Sequence, residues 1–222
     1  MRHPSIFIIV LVGLLLAACQ TTVTPTGTIQ GSGMIISEER QVSGFNRVQM
    51  NLAADLNLIQ GDQEGLTIEA DDNLMPFIQS TVQNGSLVID FPNSASMSPS
   101  RTIQLTVRFK TLTAVDVLGS STVTADDLNL NALAIGFKGS GSTRMAGRVV
   151  NQTITIDGMA FVNNFSLDST TVSVNIAGSG TVDVKASRSL DVQVAGQGTI
   201  RYLGNPSITR NITGSATIAQ QK

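Results

Sequence analysis

The sequence predicts an all-β fold, a parallel β-helix or β-solenoid of about six coils of 18–20 residues. Three observations carry that reading: a phrase that recurs at a fixed period, apolar alternation within each copy, and a small residue at one place in every copy. The copies are Val117–Val123, Phe137–Thr143, Ile156–Val162, Ile176–Val182, Val194–Ile200 and Ile212–Ile218. Their lead glycines are Gly119, Gly139, Gly158, Gly178, Gly196 and Gly214, at steps of 20, 19, 20, 18 and 18 residues. A period near twenty marks a stacked repeat, in which a unit buries its apolar face only against its neighbours.

The chain opens on a targeting segment. Arg2 supplies a basic start, Ile6 to Leu16 is apolar apart from Gly13, and Leu16-Ala17-Ala18-Cys19 follows. That run is short for a bilayer span and reads as a secretory signal over residues 1–18. Leu-Ala-Ala-Cys resembles the bacterial lipoprotein signal, and the resemblance implies a lipidated Cys19 as mature N-terminus and a membrane as partner. Gln20 rather than aspartate after it points to the outer membrane of a bacterial cell envelope. Residues 19–32, rich in Thr, Pro, Gly and Gln, are expected to form a flexible tether.

Residues 33–110 are expected to form an N-terminal β part that caps or extends the stack, since an open solenoid end exposes a strand edge. Val48 and Met50, Leu56 and Leu58, and Leu66 and Ile68 alternate with polar residues, and Gln60-Gly61-Asp62 turns the chain. Asp71-Asp72-Asn73 is expected to cap one helical turn through Met75-Pro76-Phe77. Asn84-Gly85 marks a hairpin leading into Leu87, Ile89 and Phe91. Asn93 to Ser100 reads as a polar loop, before Ile103, Leu105, Val107 and Phe109.

Residues 111–219 hold the repeats. Two and four residues before each lead glycine the side chains are apolar, with Arg210 the one exception, and polar or small residues lie between them. The alternation resumes after the glycine at Val123, Thr143, Val162, Val182, Ile200 and Ile218. Such alternation of β-branched residues predicts half-buried strands on both sides of a tight corner. Two residues after each lead glycine come Ser121, Gly141, Ala160, Gly180, Gly198 and Ala216, all small. Coils stacked about 4.8 Å apart leave little room for Cβ atoms there, and such corners are expected to use positive φ. Gly-x-Gly is no phosphate loop: Arg144, Asp183 and Arg201 stand where the third glycine would be, and strand follows. No cofactor is expected.

His3 and Cys19 are the only histidine and cysteine, so a mature chain would offer nothing to a histidine triad, a His-bearing zinc site or a thiol nucleophile. Without Arg2 there remain 13 basic and 16 acidic residues, a net of −3, with no basic patch for nucleic acid. Glu38/Glu39, Asp71/Asp72 and Asp126/Asp127 are adjacent acidic pairs. A polysaccharide-acting hydrolase or lyase is the enzymatic alternative they leave open. Neighbouring residues of a strand face opposite ways, however, and do not converge; cap and loop roles are expected for these aspartates.

Two columns complete the expectations. Five residues after the glycines an outward column holds Asp183 beside Arg201, stacked neighbours expected to pair at the surface. Three residues after the glycines stand Thr122, Ser142, Phe161, Thr181, Thr199 and Thr217, a ladder of hydroxyls facing solvent.

Arg40-x-Val-x-x-Phe45, Gln60-Gly61-Asp62, Ala70-Asp-Asp-Asn73-Leu-Met-Pro76, the Gly-Ser-Gly repeats and Arg201-Tyr-Leu-Gly-Asn-Pro206 together resemble the head GIN domain family of auto-transporter-like adhesins. The resemblance covers nearly all of the mature chain and implies a β-solenoid at the bacterial envelope. Met159 and Phe161 depart from the repeat pattern. The expected function is an envelope-anchored, non-catalytic binding, adhesion or structural module, with envelope or host glycans or proteins as partners.

Overall fold

The computed structural model describes residues 27–91 and 95–222. The expected signal segment, the lipidation residue Cys19 and residues 20–26 lie outside them. The strands in chain order are β1 (Gly27–Gln30), β2 (Ile35–Arg40), β3 (Arg47–Met50), β4 (Ala54–Gln60), β5 (Gly65–Asp71), β6 (Gln79–Gln83), β7 (Ser86–Asp90), β8 (Ala95–Ser98) and β9 (Gln104–Phe109). The repeats follow as β10 (Ala114–Val117), β11 (Ser120–Phe137), β12 (Ser140–Ile156), β13 (Met159–Ile176), β14 (Ser179–Val194), β15 (Gln197–Leu203), β16 (Ser207–Ile212) and β17 (Ser215–Gln220). Among the described residues no helix is long and apolar enough to cross a membrane.

From β10 onward every pairing is parallel, and outside the register slips residues meet their equivalents in the next coil: Ile135 pairs with Ile154, Ile154 with Val174, and Val174 with Val192. The apolar columns thereby stack into one core. Val115, Val117, Val123, Ile154, Ile156, Val162, Val174, Ile176, Val182 and Val192 are all fully buried. The stack makes about five turns rather than six. The sixth glycine, Gly214, leads only into β17, the last strand, and closes no coil of its own.

A coil has more corners than the sequence shows. Alternation is interrupted at the lead glycine, at Asp126-Asp127, and again at Asn131-Ala132, where two exposed residues stand in a row. The register slips between Ala125 and Leu128, and likewise between Arg144 and Gly147 in the next coil. Leu128–Leu130 and its equivalents therefore make a short third face, which the sequence reading missed because it spans barely one alternation.

The N-terminal part both extends and caps the stack. β3 lies parallel to β10, and β7 parallel to β3; on the next face β4 lies parallel to β11, and β9 to β4. Chain order and stacking order thus differ, because the coil holding β7 and β9 sits outside the one holding β3 and β4. Antiparallel β6 then covers β7, while β5 and β2 extend outward from β9. A parallel coil cannot continue past an antiparallel strand, so this end is closed. Among the described residues nothing covers the opposite end in that way: every residue of β16 is exposed, and Ile212, in a column buried elsewhere, is 38% exposed.

One local expectation holds and the others change. The hairpin forms as expected, with Asn84 and Gly85 both at positive φ (51° and 75°). The polar loop after Phe91 instead contains β8, paired in parallel with β1, so part of the segment read as tether is strand. A 3-10 turn does cover Met75–Phe77, but its cap is Leu74 with no side-chain bond. Asp71, Asp72 and Asn73 reach backward instead. Buried Asp71 accepts from the Gly33 N–H (2.7 Å), the Ser100 N–H (2.9 Å) and the Ser100 hydroxyl (2.6 Å). Asp72 accepts from the Ser32 hydroxyl, and the Asn73 amide donates to the Gln30 carbonyl at 2.7 Å. The trio clasps the entering chain to the capped end. A helix was its natural reading, because contacts across some forty residues leave no local signal.

Candidate functional site

The Gly-x-Gly corner forms a groove along the stack. The carbonyl of each lead glycine accepts from the first N–H after the corner of the next coil: Ser140 to Gly119 (3.0 Å), Met159 to Gly139 (3.0 Å), Ser179 to Gly158 (2.9 Å) and Gln197 to Gly178 (2.9 Å). Those carbonyls therefore point straight at the lead glycine of the following coil. A Cβ on Gly139, Gly158, Gly178, Gly196 or Gly214 would come within 3.0 Å of backbone atoms of the coil before. None of these glycines has positive φ. Close approach, not handedness, excludes a side chain there. Positive φ appears at the next corner, at Asp127 (57°) and Gly147 (118°), and near the end at Gly204 (96°).

The small residues two places on are not equivalent. A Cβ on Gly141 would strike the Ser121 carbonyl as well as Phe137; on Gly180 it would meet the Ile156 Cδ1 at 2.6 Å; on Gly198 it would find only aliphatic methyls at 3.1 to 3.3 Å. Their Cβ positions face the core side chains, so the groove floor between the outward residues on either side is backbone. Between Ala160 and Gly198 the floor opens into a cavity of about 380 Å³, walled by Ser179, Thr181, Gln197 and Thr199. A second hollow, about 290 Å³, continues the line past Gly141 with Ser120, Ser140 and Ser142. Between the two stand Met159 and Phe161, 64% and 45% exposed. The face thus offers hydroxyls at coil spacing, interrupted by one apolar step, with the Asp55 carboxylate at its second hollow.

The acidic residues do not assemble into catalytic machinery. Asp126 and Asp127 are exposed on the far side of the first parallel face, Glu38 pairs with Arg40 at 2.7 Å, and Asp71 is spent on the clasp. Hydrogen bonds, with the Ser100 hydroxyl first, hold the Asp71 carboxyl below its ordinary range against the opposing effect of its burial. Among the described residues no group of three or more His, Cys, Asp and Glu side chains is placed to hold a metal. Asp183 and Arg201 do pair as expected, but only the arginine reaches the surface. Asp183 is only 2% exposed, and Arg201 forks onto it through Nε (2.6 Å) and Nη2. The fork raises the Arg201 pKa further, which fixes its charge. The column that holds Asp183 is therefore not wholly outward.

Fold and groove define a parallel β-solenoid whose side-chain ladders face solvent, a scaffold for recognition by repetition. The matching family model, described as "Putative auto-transporter adhesin, head GIN domain", covers residues 44–206, and the chain belongs to that family. A solved structure titled a putative adhesin from Bacteroides fragilis NCTC 9343 is similar at 21% identity with a TM-score of 0.72, over 87% of this chain and 100% of that one. Another, titled a putative lipid binding protein from Parabacteroides distasonis ATCC 8503, is similar at 22% identity with a TM-score of 0.54, over 88% and 100%. At such identities the likeness concerns the fold. No curated protein matches the sequence.

Proposed function

We propose that this chain is a lipid-anchored module of the bacterial envelope that binds or adheres without catalysis, through the groove along the Gly-x-Gly corner. The observation that carries the reading is the groove itself: a floor kept free of side chains over several coils, lined by hydroxyls and bearing exposed Met159 and Phe161. Hydroxyl ladders recognise polar ligands through neutral hydrogen bonds, and an exposed aromatic adds an apolar face for a ring to lie on. Leu16-Ala-Ala-Cys19 supports the anchor, with outer-membrane placement following from Gln20. The described chain enters at the capped end, where the Asp71 clasp holds it. A tether from Cys19 would therefore leave the open end and the far coils facing away from the membrane.

Two measurements test this. Mass spectrometry of the protein purified from its envelope should show a diacylated or triacylated Cys19, lost in Cys19→Ala; an unmodified mature chain ends the anchored reading. The chain from Gln20 onward, which keeps every described strand, should bind members of a glycan array, with Phe161→Ala weakening that binding. Silence across glycan and envelope-protein arrays would overturn the binding-module reading.

A further inference from the structure

A third hollow lies on the opposite corner, where the coils shorten. The step from Gly158 to Gly178 takes 20 residues and the next takes 18. Parallel register between β13 and β14 survives this only by slipping twice. Asn164 pairs with Val184 and then Asp168 with Lys185, so three residues of the longer coil have no counterpart; Ser169 pairs with Ala186 and then Thr171 with Ser189. The longer coil overhangs the shorter one. The result is a cavity of about 450 Å³ lined by Arg148, Val150, Asp168, Thr170, Lys185 and Ser187, among others. Register breaks of this kind re-aim side chains and recur beside functional sites.

The charges at this step do not balance. Arg148 is the register partner of Asp168, and Asp168 that of Lys185, so one carboxylate lies between two cations on successive coils. Lys185 takes the carboxylate, Nζ to Oδ1 at 2.7 Å, with both side chains about half exposed. Arg148 has no ion-pair partner among the described residues. A local excess of positive charge in a chain of net charge −2 is a departure that the fold itself does not require. A guanidinium is a planar fork matched to carboxylate and phosphate oxygens. Around it the lining is mixed: Thr170 and Ser187 bring hydroxyls, while Val150, 37% exposed, and buried Ala186 bring a small apolar patch. The volume falls in the ordinary range for small-ligand sites, roughly 300–1,000 Å³.

We infer that the step between the 20-residue and 18-residue coils is a binding site for an oxyanion-bearing saccharide, with Arg148 and Lys185 holding the anionic group and Thr170, Ser187 and Val150 meeting the ring. The inference rests on the binding-module reading and adds a cationic site to it, distinct from the hydroxyl-lined groove. Carboxylate and phosphate present the same chemistry to Arg148. In the unliganded state Asp168 competes for Lys185, so an incoming anion displaces that pairing.

The test is a titration of the chain from Gln20 onward with glucuronate, glucose 6-phosphate and glucose, followed by amide chemical shifts. Glucuronate, glucose 6-phosphate or both should move the resonances of residues 148–150, 168–170 and 185–187 in a saturable way, and the two arms tell carboxylate from phosphate. Arg148→Gln and Lys185→Gln should each weaken that binding about tenfold, as expected for losing a charge-assisted hydrogen bond. Asp168→Asn should strengthen it by freeing Lys185. All three residues are exposed, so melting should stay near the wild-type value and a folding defect would be visible. Equal response to glucose, no response to any probe, or binding indifferent to Arg148→Gln and Lys185→Gln would overturn the site. Array binding that survives both substitutions would leave the module reading intact while removing this site from it.

Discussion

Two corners bound the second face of a coil, one with a glycine in every copy and the other with a glycine at Gly147, and the two glycines serve different physical needs. At the lead-glycine corner φ is ordinary and space is missing: each glycine sits on the carbonyl of the one before. At the bulge corner Gly147 combines a φ of 118° with a Cβ position blocked by the Leu128 backbone. Asp127 manages the same corner in the preceding coil at φ 57°, within reach of a short polar residue. The difference teaches that recurrence in a sequence reports stacking, whereas backbone handedness leaves a fainter and irregular trace. Substitution separates the two causes.

The largest effect is expected where both causes act together. Gly147→Ala should cost more than about 3 kcal/mol, adding backbone overlap to the penalty for positive φ. Gly178→Ala, where only space is lacking, should follow at about 2–3 kcal/mol because the coils must part to admit one methyl. Gly44→Ala isolates the conformational cause, with φ 77° and nothing within 4 Å of the added Cβ. About 1–2 kcal/mol is expected there. Denaturant midpoints of the three variants, at matched m-values, check the ranking. Equal costs at Gly178 and Gly44 would show that the lead glycines are not limited by the neighbouring coil.

Much of this was legible in advance, and the failures share a cause. The columns through Val115, Val117 and Val123 declared the stack because stacking repeats them at every coil. Deviations from the pattern were harder to weigh. Arg210 in an inward column marks the open end, where no further coil covers it. The Asp71 clasp and the burial of Asp183 depend on what the chain brings near from elsewhere. The step at Asp168 and Lys185 was invisible as a site, although the change from a spacing of 20 to one of 18 was its signal.

The capped end allows a smaller, local comparison with the repeats. The folded-state pKa of Asp71 is depressed, so the clasp contributes stability above the ordinary carboxylate range and loses it as pH falls through the folded-state value. Below about pH 4 the Gly33 and Ser100 amides should lose exchange protection before the amides between coils, which hold no comparable carboxylate bond. Asp71→Asn should produce that loss already at neutral pH. Simultaneous loss throughout the stack would mean that the clasp and the coils open as one unit.

The smallest effect discriminates among the floor glycines. If every Gly-x-Gly corner had the same need, Gly141→Ala, Gly180→Ala and Gly198→Ala would cost alike. Their surroundings say otherwise. At Gly141 the added methyl meets the Ser121 carbonyl, which the parallel ladder holds in place, so the cost should approach that of Gly178→Ala. At Gly180 the obstacle is the terminal methyl of Ile156, whose rotamer can change at about 0.5–1.5 kcal/mol. At Gly198 the neighbours are the ends of Ile176, Ile200 and Val194 at 3.1 to 3.3 Å. There the lost freedom of the unfolded chain favours alanine by about 0.4–1 kcal/mol, against a packing cost of similar size. Near-neutral stability is the expected result. The same methyl points at buried side chains and leaves the outward Thr181 and Thr199 in place, so array binding of Gly198→Ala should be unchanged as well. Weakened array binding at unchanged melting would show that core packing beneath the corner shapes the recognition face.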